Sequence, residues 1–266
     1  MEEPPSSEPA LKTISTTVYF HGQPGTADEL ALFGGEEPRG WIVPDRSIGL
    51  DTSTIAAHLD ALADEVRSRC GNRAVKLIGF SLGAYVALEV AARLPDLDLA
   101  IDLVSPAAPL ATGDYLDHMA GKAVFTLARN RPALFAAMTA GQGLLARLSP
   151  GTLGKLLFAS AQGGDASLYG DPTFRAAMQQ ILADAIGRDS RAYRAEVIGY
   201  VGDWAAVLEK LTNPVTIWQG QSDNWSPPAM AEALAERLSN VDKVHRLDGC
   251  SHYTTLREYL RFSRAT

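Results

Sequence analysis

Short runs of apolar residues recur along the chain, and the longer stretches between them carry apolar positions at a helical spacing. Several of the short runs, such as 99–105, are almost continuously apolar rather than alternating, which is typical of parallel strands covered on both faces. The pattern predicts strands at 14–20, 41–44, 74–80, 99–105, 214–220 and 242–249.

One face of a helix is visible in residues 51–69, where Ile55, Leu59, Leu62 and Val66 recur at spacings of four, three and four. Similar patterns predict helices at 81–94, 227–240 and 254–264. Because strands and helices alternate, the chain is predicted to have an α/β fold, with a mostly parallel central sheet of about six strands flanked by helices.

Residues 110–211 break this alternation, because they carry helical patterns and loops but no run typical of a strand. We interpret this segment as an all-helical cap inserted into the fold; additional helices that only thicken the core are the alternative. The insertion divides the predicted α/β core into 13–109 and 212–266. Residues 1–12 are acidic, rich in proline and serine, and lack the apolar segment of a signal peptide, so we predict a disordered tail.

Composition excludes some classes of function. The net charge of −7 and the pI near 5.3 do not indicate the clustered positive charge that nucleic-acid binding requires. No apolar run has the length of a membrane-spanning helix, so a cytoplasmic location is the default expectation. Cys70 and Cys250 are expected to be free thiols rather than a disulfide.

The segment Gly79-Phe80-Ser81-Leu82-Gly83 places a serine between two glycines, after a predicted strand and at the start of a predicted helix. Such a segment forms either an ordinary tight turn or a sharp turn that exposes a nucleophilic serine. In the second case, Gly79 and Gly83 avoid crowding where strand and helix cross, and the helix N-terminus favours negative charge beside Ser81. The strand–turn–helix context favours the nucleophile.

A serine nucleophile needs a base, and the base needs a group that fixes its tautomer. His252 follows the last predicted strand, and Asp223 lies in the loop directly after the strand at 214–220. Because the carboxyl ends of parallel strands lie at one edge of a sheet, both side chains are expected beside Ser81. Outside this context, Asp223 would be an ordinary turn residue and His252 a surface histidine.

The loop His21-Gly22-Gln23-Pro24-Gly25 follows the first predicted strand and is a candidate for binding a developing oxyanion. We expect the backbone amides of Gln23 and Leu82 to be the two donors. Gly22 permits the unusual backbone angles that such a loop needs. His21 is expected to brace the loop by hydrogen bonding rather than to act as a base. No metal or organic cofactor is implied.

Together these segments resemble the α/β-hydrolase family, specifically its capped, esterase-like serine hydrolases. That family carries an HGxPG-like oxyanion loop, a GxSxG nucleophile turn, a GxxDxxxP-like acid loop and a late histidine. The chain matches in this order with residues 21–25, residues 79–83, Gly220 with Asp223 and Pro227, and His252. It departs from the family in having only about a dozen residues before its first predicted strand, where the family typically has two further strands.

The motifs and the resemblance imply a serine hydrolase that cleaves a carboxylic ester with a small or medium hydrophobic acyl group. Ser81 would attack the acyl carbon, His252 would act as general base and then as general acid, and Asp223 would orient His252. The same residues would serve a thioesterase, lactonase, amidase, carbon–carbon bond hydrolase or acyltransferase. A ligand receptor on the same fold is the alternative from another class. The expected partner is a small hydrophobic molecule.

Overall fold

The described part of the computed structural model comprises residue 14 and residues 16–34, 38–51 and 54–265, and its five strands form one sheet. The strands are β1 (Thr16–Phe20), β2 (Val75–Phe80), β3 (Leu99–Val104), β4 (Val215–Gly220) and β5 (Val241–Leu247). They lie side by side in chain order, and every neighbouring pair is parallel. The predicted parallel α/β sheet is confirmed.

The run at 41–44 meets the sheet at a single position instead of forming the sixth strand. Ile42 forms an isolated parallel bridge with Val18 on the outer edge of β1. Its amide donates to the carbonyl of Thr17 and its carbonyl accepts from the amide of Tyr19, both at 2.8 Å. Pro44 follows two residues later, and because proline has no amide hydrogen it cannot continue the ladder.

Both faces of the sheet are buried along β1 to β4, which explains why these strands are apolar at most successive positions, whereas β5 is partly exposed. Leu77 of β2 belongs to a core cluster with Leu62 on one face, whereas its neighbour Ile78 belongs to a cluster with Leu256 on the other face. Successive side chains of a strand point to opposite faces. A strand covered on both sides therefore shows no alternation of apolar and polar residues.

Helices α1 (Ile55–Cys70), α2 (Leu82–Arg93), α9 (Pro228–Arg237) and α10 (His252–Ala265) flank the sheet. The first three contribute to the core on one face, and α10 contributes to the core on the other. Helix α1 starts four residues later than predicted, because the hydroxyl of Thr54 accepts a hydrogen bond from the amide of Ala57 and caps its N-terminus.

The segment between β3 and β4 is helical, as predicted. We call the following elements the inserted helices: α3 (Lys122–Asn130), α4 (Pro132–Leu148), α5 (Pro150–Leu157), α6 (Asp165–Leu168), α7 (Pro172–Leu182) and α8 (Arg191–Tyr200). A short π-helical stretch, Ala183–Arg188, follows α7, and a 3-10 helix, Ala205–Lys210, returns the chain to β4.

The predicted disordered tail at 1–12 lies outside the described residues. Among the helices in the described ranges, none combines the length and the apolar character needed to cross a lipid bilayer. Cys70 is buried, Cys250 is half-buried, and both are free thiols, as expected.

Candidate active site

Ser81 occupies the sharp turn between β2 and α2, with φ 57° and ψ −125°. A positive φ is rare for a residue that carries a side chain, and it indicates that surrounding contacts impose the conformation. Two backbone hydrogen bonds do so: the Ser81 amide donates to the carbonyl of Val104 at 3.0 Å, and the Ser81 carbonyl accepts from the amide of Ala107 at 3.1 Å. The turn is thereby fixed to the end of β3.

The two glycines around Ser81 are required by space. A Cβ atom on Gly79 would lie 2.6 Å from the Cα of Ala84, and one on Gly83 would collide with the carbonyl oxygen of Phe20. Strand β2, helix α2 and the end of β1 therefore approach one another more closely than any side chain at these two positions would allow.

His252 and Asp223 form a buried pair at the same edge of the sheet. Nδ1 of His252 donates to Oδ2 of Asp223 at 2.8 Å. The other oxygen of Asp223 accepts from the amides of Trp225 and Ser226, at 2.8 and 3.0 Å. The side chain of Asp223 is therefore fixed by its own loop, and the imidazole is held in the tautomer whose Nε2 is free to accept a proton.

Two aromatic rings that contact the imidazole and one hydrogen bond to the backbone hold His252 beside the serine turn. Trp225 stacks on it with ring centroids 5.6 Å apart, and the ring of Phe80, the residue before Ser81, lies 4.8 Å away. The hydroxyl of Ser105 donates to the His252 carbonyl at 3.3 Å. Within the described residues, the Ser81 hydroxyl has no hydrogen-bond partner, so its contact with Nε2 is the one link of the predicted triad that is not formed.

The pKa of His252 is raised above its ordinary value. Burial by itself lowers it, but the charge of Asp223 and its hydrogen bond to Nδ1 outweigh burial, with smaller contributions from Asp165 and Glu29. Such an arrangement stabilises the imidazolium, which is the form a general base reaches after it takes a proton.

The amides of Gln23 and Leu82 are both available as donors. In the described part of the chain, neither N–H has a protein acceptor, and both residues line a cavity together with Ser81. The Nδ1–H of His21 donates to the carbonyl of Gly22 at 2.8 Å, inside the same loop. Burial, followed by the nearby charge of Arg46, lowers the pKa of His21 to about 4, so this imidazole is neutral.

Comparison with known proteins shows the fold family of the chain. A family model described as the alpha/beta hydrolase fold matches residues 33–258. The chain belongs to the α/β-hydrolase fold family. The match covers the serine turn, the acid loop and the histidine, and it begins after the loop at 21–25.

Individual relatives of this α/β hydrolase are distant. It is 28% identical over 210 residues to the biotin biosynthesis bifunctional protein BioHC of Cellvibrio japonicus (strain Ueda107), in a match that covers 76% of this chain and 36% of that protein. The chain thus spans about a third of that relative's length.

Solved structures of different named activities share the fold. The bromoperoxidase of Bacillus anthracis has a TM-score of 0.61 at 16% identity, covering 96% of this chain and 91% of that one. A thermophilic esterase of Thermogutta terrifontis has a TM-score of 0.62 at 18% identity, covering 96% and 89%. At these identities the likeness shows the fold alone, and the fold does not decide the reaction.

Three groups of residues around the site of this α/β hydrolase had no signal in the sequence. The first is Glu29, which is fully buried beneath the loop at 21–25. It accepts from the hydroxyl of Tyr19 at 2.9 Å and from the amide of Gly22 at 3.0 Å. Burial raises the pKa of Glu29 to about 7. The hydrogen bond from Gly22 to Glu29 therefore stabilises the conformation of the loop at 21–25.

The second group is a buried cluster around Glu196 of α8, which joins the inserted helices to the core. Arg46 donates to both carboxylate oxygens of Glu196, at 2.6 and 2.5 Å, and also to the carbonyl of His21 at 3.2 Å. The side-chain amide of Gln23 donates to Glu196 at 2.6 Å, and Nε2 of His58 lies 3.2 Å from it. Glu196 thus links helix α8 to the loop at 21–25 through Gln23.

The pKa of Glu196 is lowered to about 2. Burial opposes this shift, but the charge of Arg46 and the hydrogen bonds from His58 and Arg46 outweigh burial. The carboxylate is therefore ionised at neutral pH, and the buried ion pair is complete.

The third group is Asp165 of α6, which caps the helix that begins at His252. Its carboxylate accepts from the amides of Tyr253 and Thr254, at 2.7 and 2.8 Å, and from the Thr254 hydroxyl at 2.7 Å. The amide of Gly164 also donates to the carbonyl of Gly249 at 2.8 Å. The inserted helices therefore contact the histidine side of the site as well as the loop at 21–25.

The candidate nucleophile opens into a cavity of about 430 Å³ between the core and the inserted helices. Its walls are mainly apolar, and no charged side chain is among the described residues that line it. Apolar side chains of the lining include Met119, Val124, Phe125, Leu145, Leu153, Leu156, Leu157 and Val197. A cavity of this size and lining suits a small, uncharged, mainly apolar group.

Proposed function

We propose that this α/β hydrolase is a serine hydrolase that cleaves a carboxylic ester with a small to medium hydrophobic acyl group. The observation that carries the proposal is a convergence at one sheet edge. Ser81 lies on a turn with positive φ, His252 and Asp223 form a pair at 2.8 Å, and the amides of Gln23 and Leu82 line the same cavity as Ser81. Each function that acyl transfer requires has a candidate group.

In this mechanism the Ser81 hydroxyl gives its proton to Nε2 of His252 while its Oγ bonds to the acyl carbon. The amides of Gln23 and Leu82 bind the resulting oxyanion, and Asp223 stabilises the imidazolium. The alcohol leaves with the proton from His252, and an acyl-enzyme remains. A water molecule then attacks it, again through His252, releasing the carboxylic acid and restoring Ser81.

The inserted helices act as a cap in this proposal, with the core divided into 13–109 and 212–266 around a cap at 110–211. The cavity that would hold the acyl group is supported by lining residues from α3, α4, α5 and α8 as well as from the core. Substrate preference is therefore expected to depend on the inserted helices more than on the sheet.

Ser81→Ala is expected to abolish hydrolysis of a short p-nitrophenyl ester, with a loss on the order of 10³-fold or more in kcat. The matched control is Ser167→Ala, which changes an exposed serine on α6. A fluorophosphonate probe is expected to label the wild-type protein and not the Ser81→Ala variant. Equal hydrolysis by wild type and Ser81→Ala would remove the assignment, and absence of labelling would favour a receptor.

Esters with a small or medium apolar acyl chain are expected to have a higher kcat/KM than esters with a charged or sugar acyl group, because no charged side chain is among the described residues that line the cavity. A panel of p-nitrophenyl esters with different acyl groups measures this. A preference for charged or sugar esters would contradict the apolar substrate class.

A further inference from the structure

The solvent-facing side of α4 is apolar, which is unusual for a surface helix. Leu134, Leu144 and Leu148 are 57%, 59% and 76% exposed. Ala137 and Gly141, which are also exposed, complete a row with spacings of three, four, three and four along the same face. A helix of a soluble protein ordinarily places polar side chains there, so this face lacks the partner that would cover it.

The apolar face continues to the mouth of the cavity. Leu156 of α5 is 64% exposed and at the same time lines the cavity that contains Ser81. Gly141 of α4 also lines that cavity. We call the exposed side of α4 and α5, with Leu134, Leu144, Leu148 and Leu156, the leucine face. An apolar surface of this kind marks an interaction site more often than a chance arrangement.

The leucine face lies within the most basic part of an acidic protein. The chain has a net charge of −7, yet between Asp117 and Asp165 it carries basic side chains and no acidic one. The basic residues of this segment are Lys122, Arg129, Arg131, Arg147 and Lys155. Lys122 pairs with Asp117 at 2.6 Å, and the other basic residues form no ion pair within the described residues.

The positive charge lies directly beside the exposed leucines. Arg131 immediately precedes α4 and Lys155 is adjacent to Leu156, and both side chains are exposed. Arg147 is also exposed, but its guanidinium donates to the carbonyls of Gly187 and Arg188.

We propose that the leucine face docks on an anionic lipid surface, with its leucines inserted among the acyl chains and its basic side chains at the headgroups. Apolar side chains flanked by lysine and arginine are the combination that binds a helix in the plane of a membrane interface. A second copy of the chain fits less well, because a symmetric contact would place like charges opposite each other. Docking requires no chemistry at Ser81 and is independent of the proposed function.

This orientation sets the mouth of the cavity against the lipid. An apolar substrate dissolved in the membrane then reaches the cavity past Leu156 and Gly141 without crossing water. The part of the inference that concerns substrate delivery rests on the proposed function, whereas the docking does not.

The test is co-sedimentation of the full chain with phosphatidylcholine vesicles that contain or lack phosphatidylglycerol. Every protein in this test carries Ser81→Ala, so that lipid hydrolysis does not alter the vesicles. Binding to the anionic vesicles is expected to be at least about tenfold tighter than to the neutral ones and to weaken with salt. Leu144→Gln with Leu148→Gln is expected to lower it by about tenfold or more. Arg131→Gln with Lys155→Gln is expected to remove most of the preference for anionic lipid.

Matched controls are Phe262→Gln, a 49% exposed aromatic residue on α10, and Lys243→Gln, an exposed lysine on β5; both should bind like the parent. With Ser81 restored, the leucine variants should retain short-ester hydrolysis, because neither Leu144 nor Leu148 lines the cavity. The proposal is overturned if anionic vesicles do not bind the protein, or if the leucine variants bind as well as the parent. It is also overturned by a concentration-dependent dimer that the leucine variants abolish, or by equally tight binding to soluble polyglutamate.

Discussion

At the scale of single residues, the buried contact between His252 and Asp223 sets the protonation behaviour of the site. His252 is 2% exposed, and the charge and hydrogen bond of Asp223 keep its pKa above the ordinary value despite burial. A general base must be neutral to accept a proton. The activity is therefore expected to rise with pH through a pKa above that of a free histidine, about 6.5, and to be low in acid.

Asp223→Asn is expected to lower kcat at neutral pH on the order of 10³–10⁴-fold, because the imidazolium loses its stabilising charge and the tautomer is no longer fixed. The sign of the accompanying shift follows from burial: without the carboxylate, the pKa of His252 falls, so the acidic limb of kcat/KM moves to lower pH. Ester hydrolysis measured across pH checks both effects. Asp248→Asn, an exposed aspartate on the same rim, is the control. An unchanged acidic limb in Asp223→Asn would contradict the pairing.

At the scale of elements, the site depends on how helix α10 begins. His252 is its first residue, and the amides of the next two residues donate to Asp165, which belongs to an inserted helix. The orientation of His252 therefore depends on a contact between residues almost ninety positions apart. Asp165 acts through the helix terminus and does not line the cavity, so it is a positioning residue.

Asp165→Asn is expected to lower kcat by about tenfold with a smaller change in KM, because one carboxylate oxygen is replaced by an NH₂ group that faces a donor. Asp171→Asn is the matched control: Asp171 caps α7 by accepting from the amides of Thr173 and Phe174, and it lies in the same insertion. Both variants should lose about 1 kcal/mol of stability. Only Asp165→Asn should lose activity. It should also move the acidic limb of the pH profile of kcat/KM to lower pH, because the charge of Asp165 helps to raise the pKa of His252. Equal activity of the two variants would reduce Asp165 to a purely structural cap.

At the scale of the whole molecule, the cluster around Glu196 connects parts of the chain that no local interaction brings together. Glu196 of α8 contacts Arg46, His58 and Gln23, from the loop after the 41–44 run, from α1 and from the loop after β1. The inserted helices, the core and the candidate oxyanion loop are thus held through one carboxylate. Removing one partner of such a buried pair leaves an uncompensated charge.

Glu196→Gln is expected to destabilise the protein by about 3 kcal/mol at pH 7. The folded pKa of Glu196, about 2, is below its unfolded value, so its stabilisation is present above pH 4.5 and is lost as the pH falls toward 2. The difference in free energy of unfolding between wild type and Glu196→Gln should therefore be smaller in acid. Urea unfolding at pH 7 and pH 3 measures this. Asp96→Asn, which removes an exposed ion pair, is the control and should leave the free energy of unfolding almost unchanged at both pH values. A difference that stays constant with pH would contradict the assignment.

Much of the fold could be predicted from the sequence because its signals are local. Buried strands, the spacing of Ile55 to Val66 and the small residues around Ser81 follow from neighbouring positions in the chain. The triad could be proposed for a topological reason, since parallel strands end at a common edge and Asp223 and His252 each follow one of them. The single bridge at Ile42 was not foreseen, because an apolar run of four residues does not show how many of its amides will find partners.

The amino-acid sequence alone determined the parallel α/β sheet, the helical insertion and which serine, aspartate and histidine are candidates for catalysis, because short-range spacing and chain order encode all of them. Only the tertiary structure decided that Glu29, Arg46, Glu196 and Asp165 surround the site. Each is an ordinary charged residue in its own segment, and it acquires a role only when burial removes water and leaves a partner distant in the chain to satisfy its charge.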